Sequence, residues 1–199
     1  PPPPRNDGFP NQNTRCLSSG ENVHYLPLLD KSHLNGRHVC DENKHMQPRF
    51  QIVMFHPEIP HNTGAAGRLA LATGSRLHLI KPLGFSLDEK HVRRTGLDYW
   101  AKVDLHVWDS LEELKQAAAP GAQFWYLSTK APRSHWDAVF HAGDYLVFGP
   151  ESRGLPESML REHADTALTI PMPGEGARSL NLSTAVAVVL YEGLRQTGI

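Results

Sequence analysis

The chain has 199 residues, enough for one domain of ordinary size with an appendage. Its 20 Lys and Arg against 21 Asp and Glu leave a formal net charge of −1, which excludes a protein that grips nucleic acid by overall charge; any RNA contact would rest on a local basic patch. No apolar run reaches the roughly 18 residues of a membrane span. The opening Pro1-Pro-Pro-Pro-Arg-Asn-Asp7 lacks the basic start and apolar core of a signal peptide. The two cysteines, Cys16 and Cys40, do not make a disulfide framework, which suits a cytoplasmic protein without membrane contact.

Residues 1–48 differ from the rest. They carry a proline run, several Asn and Ser, short apolar clusters such as Tyr25-Leu-Pro-Leu-Leu29, and balanced charges. No helical or strand period persists, so they read as an N-terminal extension, irregular or partly ordered. His38, Cys40 and His45 do not complete a tetrahedral ligand set, and no metal is expected.

From residue 49 to residue 199 a strand–helix rhythm sets in. Phe50–Phe55 reads as a buried strand, and Asn62–Thr73 as a helix closed by Gly74. Leu77–Ile80 is a second strand, Leu87–Arg94 a short basic helical stretch, and Val103–Trp108 a third, alternating strand. Ser110 and Glu113 form a capping box for a helix to Ala119. Phe124–Thr129 and Tyr145–Phe148 are the fourth and fifth strands. Pro156–His163 is a helix with proline near its start, Ala167–Ile170 a sixth strand, and Leu182–Arg195 the last helix. The alternation predicts an α/β fold, a mostly parallel sheet with helices on both faces. Ligands of such sheets collect beyond the carboxyl ends of the strands.

Two loops at predicted strand ends stand out, Phe148-Gly-Pro-Glu-Ser-Arg-Gly-Leu-Pro156 and the stretch from Ile170 to Ser183. Neither a Gly-x-Gly-x-x-Gly fingerprint nor a Walker loop is present; Asn62-Thr-Gly-Ala-Ala-Gly-Arg68 lacks the leading glycine. A cofactor held by these loops would be gripped mainly by main-chain groups, where a missing Cβ permits close approach. Glu151, Arg153, Arg178, Ser179 and Asn181 favour a site over plain turns. No Gly-x-Ser-x-Gly elbow occurs. The scattered histidines read first as surface or strand residues; His56 and His61 flank the end of the first strand and are the two that could touch a site. Arg68, Lys81, Lys130, Arg133, Arg153 and Arg178 lie near strand ends as a possible positive rim, and arginine's planar fork suits phosphate.

The segments Pro57–Arg68, Phe148–Pro156 and Ile170–Ala185, with Gly84-Phe85 and Arg93–Tyr99, resemble the motifs of the SPOUT RNA methyltransferases, and within them the TrmL group of tRNA wobble-nucleotide 2′-O-methyltransferases. The likeness runs from about Phe50 to Gly198. Two departures are Ala65-Ala66, where Asn-Ile is more usual, and a glycine-rich Pro173–Ala177. The resemblance implies a C-terminal trefoil knot, a homodimer with the active site across the interface, tRNA as substrate and S-adenosylmethionine as cofactor. It implies that Leu127, Gly149, Ile170, Met172 and Ser179 line the cofactor. It assigns catalysis to Arg68 and Asn181, and tRNA binding to Asn62, Arg178 and Tyr191.

The implied reaction is attack of a ribose 2′-oxygen on a sulfonium methyl, with positioning supplying much of the rate. Asn181 cannot ionise. Arg68 is normally permanently charged, so a clamp on phosphate and developing oxyanion is favoured over the general-base role proposed in the family. Two alternatives stay open: a related enzyme acting on ribosomal RNA or another tRNA position, and a catalytically silent knotted RNA-binding protein.

Overall fold

The computed structural model describes residues 48–87 and 99–198. The chain divides into the units Pro1–Lys44 and His45–Ile199, and all described residues belong to the second. Most of the Leu87–Arg94 stretch and the Arg93–Asp98 part of its motif lie outside them.

In chain order the elements are β1 (Gln51–Phe55), α1 (Pro60–Thr73), β2 (Arg76–Ile80), β3 (Leu105–Trp108), α2 (Leu111–Ala117), β4 (Phe124–Leu127), β5 (Arg133–Ser134), β6 (Tyr145–Phe148), α3 (Glu157–Glu162), β7 (Ala167–Thr169) and α4 (Leu182–Thr197). The strands form one sheet in the order β3-β2-β1-β6-β4-β7-β5. Every pairing among the described residues is parallel. The chain therefore builds outward from β1 through β2 to β3, then crosses to the other side, where β6 inserts between β1 and β4 and β7 between β4 and β5. The sheet so formed has its switch of direction at the β1–β6 junction, where a crevice opens above the strand ends.

Alternation along the strands divides the core in two. Ile52, Met54, Leu77, Leu79, Leu146 and Phe148 point to one face, against Ala66 and Ala70 of α1 and Val186, Val189, Leu190 and Leu194 of α4. Val53, Ile80, Tyr126 and Val147 point to the other, against Leu111 and Leu114 of α2 and Met159 and Leu160 of α3. Each Val, Leu, Ile, Phe or Met side chain among them that is fully buried contributes about 1.5–3 kcal/mol. This double burial is why the strands read as near-continuous apolar runs.

Several expected boundaries shift for identifiable reasons. Helix α1 begins at Pro60 rather than Asn62, because proline fits the first helical turn, where its missing N–H costs nothing. It ends where Gly74 adopts a left-handed φ of 63°. The Ser110 hydroxyl accepts from Glu113 N–H at 3.1 Å, but the Glu113 carboxylate accepts from Asp109 N–H at 3.0 Å, one residue outside the expected box. Pro156 precedes α3 as its N-cap instead of opening it. Two-residue β5 is an addition, too short to carry a period.

Candidate active site

The carboxyl ends of three adjacent strands supply the walls of one cavity. Strand β4 ends in Leu127 and passes into Ser128–Lys130, β6 passes into Gly149–Gly154, and β7 into Ile170 and Met172. The exposed stretch from Pro173 returns through Arg178 and Ser179 to Asn181, and Ile59 and Asn62 close the side next to α1. The enclosed volume is about 480 Å³, well inside the range of small-molecule sites.

Gly149 explains part of the shape. A Cβ built on it would fall well inside van der Waals contact with Leu155 N and the Gly154 carbonyl carbon. These are backbone atoms that no rotamer change can move. Only glycine lets the β6 end fold back against its own loop and keep main-chain groups at the cavity wall.

A directed hydrogen-bond relay crosses the α1 side. Glu151 accepts from Glu58 N–H at 2.8 Å, from Ile59 N–H at 3.3 Å and from Asn62 Nδ2 at 2.9 Å. Asn62 Oδ1 accepts from Asn181 Nδ2 at 3.0 Å. Asn181 Oδ1 then accepts from Ser183 N–H at 3.0 Å and Thr184 N–H at 3.4 Å, as N-cap of α4. Asn62 is only 2 % exposed, so its amide is satisfied on both sides by these partners. A reciprocal bond runs the other way: Glu58 accepts from Ser152 N–H at 2.9 Å and Ser152 Oγ at 2.8 Å. Those hydrogen bonds, aided by the Arg153 guanidinium, hold the Glu58 carboxyl below its ordinary range.

Of the residues anticipated, Asn62, Leu127, Gly149, Ile170, Met172, Arg178, Ser179 and Asn181 all line the cavity. Arg68 and Tyr191 do not. Arg68 lies two turns further along α1, its guanidinium carbon 4.7 Å from the centre of the Tyr99 ring, whose hydroxyl donates to Gly64 O at 3.0 Å. Tyr191 stands 55 % exposed on α4. Neither histidine flanking the first strand's end lines the cavity: His56 has a left-handed backbone with φ of 50°, and His61 is exposed on α1. Burial, aided by Arg153, pushes the His56 imidazole below its ordinary range.

The basic rim is partial. Lys130, Arg153 and Arg178 face the cavity, but Lys130 is paired with Glu157 at 2.7 Å. Lys81 is paired with Asp109 at 2.7 Å, and Arg133 donates to the carbonyls of Asp137 and Asp165. Arg178 has no ion-pair partner among the described residues. Three wall residues, Leu180, Leu182 and Ala185, lie within the Ile170–Ala185 motif but were not singled out in it. Glu58, beside the cavity, was hidden in the Pro57–Arg68 motif.

Among the described residues no helix is long and apolar enough to cross a membrane, and no three His, Cys, Asp or Glu side chains are grouped to hold a metal ion. His38, Cys40 and His45 lie outside those residues.

Comparison with known proteins places this architecture. Residues 49–191 match the model of the SpoU rRNA methylase family. The tRNA (cytidine(34)-2′-O)-methyltransferase of Saccharophagus degradans is 50 % identical over 153 residues, covering 75 % of this chain and 96 % of that protein. The enzyme of the same name from Aeromonas hydrophila is 47 % identical over 150 residues, covering 75 % and 95 %. A structure solved to study 2′-OH methylation of C/U34 on tRNA superposes with a TM-score of 0.69 at 48 % identity, over 74 % of this chain and 95 % of that one. The SpoU methyltransferase AviRb of Streptomyces viridochromogenes, solved with AdoMet, gives 0.63 at 25 % identity, over 75 % and 60 %. On the strength of a match that spans the whole sheet and the loops walling the cavity, this chain belongs to the SpoU rRNA methylase family.

Proposed function

We propose that this protein methylates the ribose 2′-hydroxyl of the wobble nucleotide, position 34, of tRNA, using S-adenosylmethionine. The observation that carries the reading is the cavity itself. Three strand-end loops, those after β4, β6 and β7, come together around a volume of about 480 Å³ whose walls include eight residues anticipated from the resemblance. They are also the segments that a C-terminal trefoil knot would interlace, and we take the knot as part of the proposal.

The residues present fit the cofactor. The Gly149 turn offers main-chain donors and acceptors at a wall where no Cβ fits. Leu127, Ile170, Met172 and Leu180 give apolar contact for a purine and the methionine carbon chain, and Arg178 and Ser179 give polar groups for a carboxylate or hydroxyls. Bound S-adenosylmethionine supplies a methyl group on a sulfonium, which is already a good leaving group. The chain's own work is then to place the ribose and to stabilise charge on its oxygen. Asn181 is no base, because its side-chain oxygen is committed to the N-cap of α4. It holds Asn62, and Asn62 holds the wall. Arg68 carries a permanent charge and stacks on Tyr99, so it presents a fixed guanidinium fork to phosphate and to the developing oxyanion.

Arg68 is outside the cavity of its own chain, which supports a homodimer in which Arg68 serves the partner's cavity. Leu71, Val188 and Tyr191 are exposed apolar side chains of α1 and α4, two helices packed against each other, and they suit such an interface. With tRNA as substrate and no membrane-length helix among the described residues, the working compartment is the cytoplasm.

The test is transfer of labelled methyl from S-adenosylmethionine to bulk tRNA and to ribosomal RNA, with the modified nucleotide mapped. Label at position 34 of tRNA is expected. Label in ribosomal RNA alone, or at another tRNA position, overturns the assignment, and absence of S-adenosylmethionine binding by calorimetry supports a silent RNA-binding protein instead. A monomer by sedimentation velocity overturns the dimer.

A further inference from the structure

Two loops exchange carboxylates at the β1–β6 junction. From the turn between β1 and α1, Glu58 reaches across to accept both the N–H and the hydroxyl of Ser152. From the loop between β6 and α3, Glu151 reaches back to accept the N–H of Glu58, that of Ile59 and the amide of Asn62. Glu151 and Ser152 line the cavity and Glu58 does not.

The two partners are not equally anchored. The β1–α1 turn is held from behind. Gly84 packs so closely that a Cβ on it would come within 2.8 Å of the Glu58 Cα and carbonyl oxygen, and its N–H donates to Pro57 O at 2.9 Å. Downstream, Asn62, Thr63, Ala66 and Ala70 are buried in the core. On the other side, Ser152 and Arg153 are exposed, and the loop's internal main-chain bond is Gly154 N–H to Pro150 O at 2.9 Å. The exchange thus ties the exposed Ser152–Arg153 part of the loop to a turn fixed against the core.

We propose that Glu58 is a positioning residue for methyl transfer, its carboxylate holding the Gly149–Gly154 loop, through Ser152, in the shape that binds S-adenosylmethionine. The proposal rests on the function argued above. Two donors converge on the Glu58 carboxylate, and each of its oxygens takes one. A glutamine there keeps one acceptor oxygen and turns an NH₂ group toward the remaining donor. An alanine removes both acceptors.

The full-length protein, Glu58→Gln, Glu58→Ala and Glu58→Gln combined with Ser152→Ala are compared by calorimetry with S-adenosylmethionine, by steady-state methylation of tRNA, and by thermal melting. Glu58→Gln is expected to raise the Kd for S-adenosylmethionine about tenfold, as loss of one charge-assisted hydrogen bond implies. Glu58→Ala raises it further, with KM for tRNA within about twofold and Tm within about 2 °C of the wild type. The double variant binds no more weakly than Glu58→Ala, because its glutamine oxygen can still accept the Ser152 backbone N–H. An unchanged Kd in Glu58→Ala overturns the proposal, and so does a rise of Kd and KM together with a fall of Tm, which marks a merely structural role. If the wild type itself fails to bind S-adenosylmethionine, the assigned function falls. A wild type that binds beside a Glu58→Ala variant that binds as well sinks the positioning role alone.

Discussion

Asn181 donates its side-chain amide to the side-chain oxygen of Asn62 at 3.0 Å, across 119 residues of sequence. The direction of that bond is not free. Glu151 presents an acceptor to Asn62, so Asn62 must turn its NH₂ toward Glu151 and its oxygen toward Asn181. Asn181 must then donate, which leaves its own oxygen for the N-cap of α4. One carboxylate thereby sets two amides and ties the start of α1, the β6 loop and the start of α4 into one wall.

Asn181→Asp separates the two duties of this residue. Aspartate is as good an N-cap as asparagine and suits the positive end of a helix. It has no donor for Asn62, so two acceptors would face each other. Thermal stability is expected to stay within about 1 kcal/mol of the wild type, while the methylation rate falls about tenfold or more. Asn181→Ala loses both the cap and the donor, so it is expected to be less stable as well as slow. Melting and single-turnover methylation on the same preparations check this; a fully active Asn181→Asp would sink the relay.

Gly149→Ala tests the main-chain wall. The added methyl would meet the backbone of Gly154 and Leu155, which is no flexible side chain. The loop must shift as a body, at a cost of about 1–3 kcal/mol by analogy with overpacked cores. Circular dichroism should show an intact fold with a lower melting point, and calorimetry a loss of S-adenosylmethionine affinity of about tenfold or more. Native affinity in this variant would mean the cofactor lies elsewhere.

The strands and helices were legible because their burial is periodic and local. Ile52 and Met54 face one layer and Val53 the other, and the run reads accordingly. Gly74, the Pro60 start and the Ser110 cap act within one turn of chain, so they too leave a local trace. The loops could be recognised as a site from their motifs, and eight of the ten residues drawn from them share one cavity. What stayed hidden is pairing at long separation. Glu58 meets Ser152 across 94 residues and Glu151 meets Asn62 across 89, and no spacing rule links them. Two-residue β5 finds its place only by pairing with β7. Proximity to a strand end in sequence does not fix the turn that follows: His56, with its left-handed backbone, and His61 both flank the first strand's end, and neither lines the cavity.

A buried histidine makes stability depend on pH. His78 is 2 % exposed on β2, with Nε2 2.8 Å from Gln51 Oε1 and Nδ1 accepting from Trp108 Nε1 at 2.9 Å. Because Nδ1 accepts, the ring is neutral. Burial, with His106 and Arg76 adding to it, pushes its pKa from 6.5 to about 3. A depressed pKa means that the unfolded chain binds the proton first. The contribution is therefore fully present above about pH 6.5 and is lost as pH falls from there toward 3. Each pH unit in that window removes up to about 1.4 kcal/mol. Burial shifts His56, His135 and His163 in the same direction. Urea unfolding at pH 7.5 and 5.5 should show a clear loss at the lower pH. In His78→Gln, which is less stable at pH 7.5, the difference between the two should shrink; an undiminished difference would assign the effect to other groups.

Arg68 offers the sharpest test of how the site is completed. It does not line the cavity of its own chain and is assigned to phosphate and the developing oxyanion rather than to the cofactor, so Arg68→Lys should leave S-adenosylmethionine affinity unchanged. The lysine keeps the charge but loses the planar fork and its stacking on Tyr99. Methylation is expected to fall by about tenfold or more, and a full rate in this variant would remove the fork from the mechanism. Complementation then separates an arginine acting in its own chain from one acting across a dimer. Arg68→Ala and Asn181→Ala are each expected to be nearly inactive. In a mixture equilibrated from equal amounts of the two, half of the dimers are mixed. If Arg68 reaches the partner's cavity, one of the two sites in each mixed dimer pairs an intact Arg68 with an intact Asn181, and activity returns to about a quarter of the wild type. If Arg68 acts within its own chain, every site in the mixture carries one defect and no activity returns.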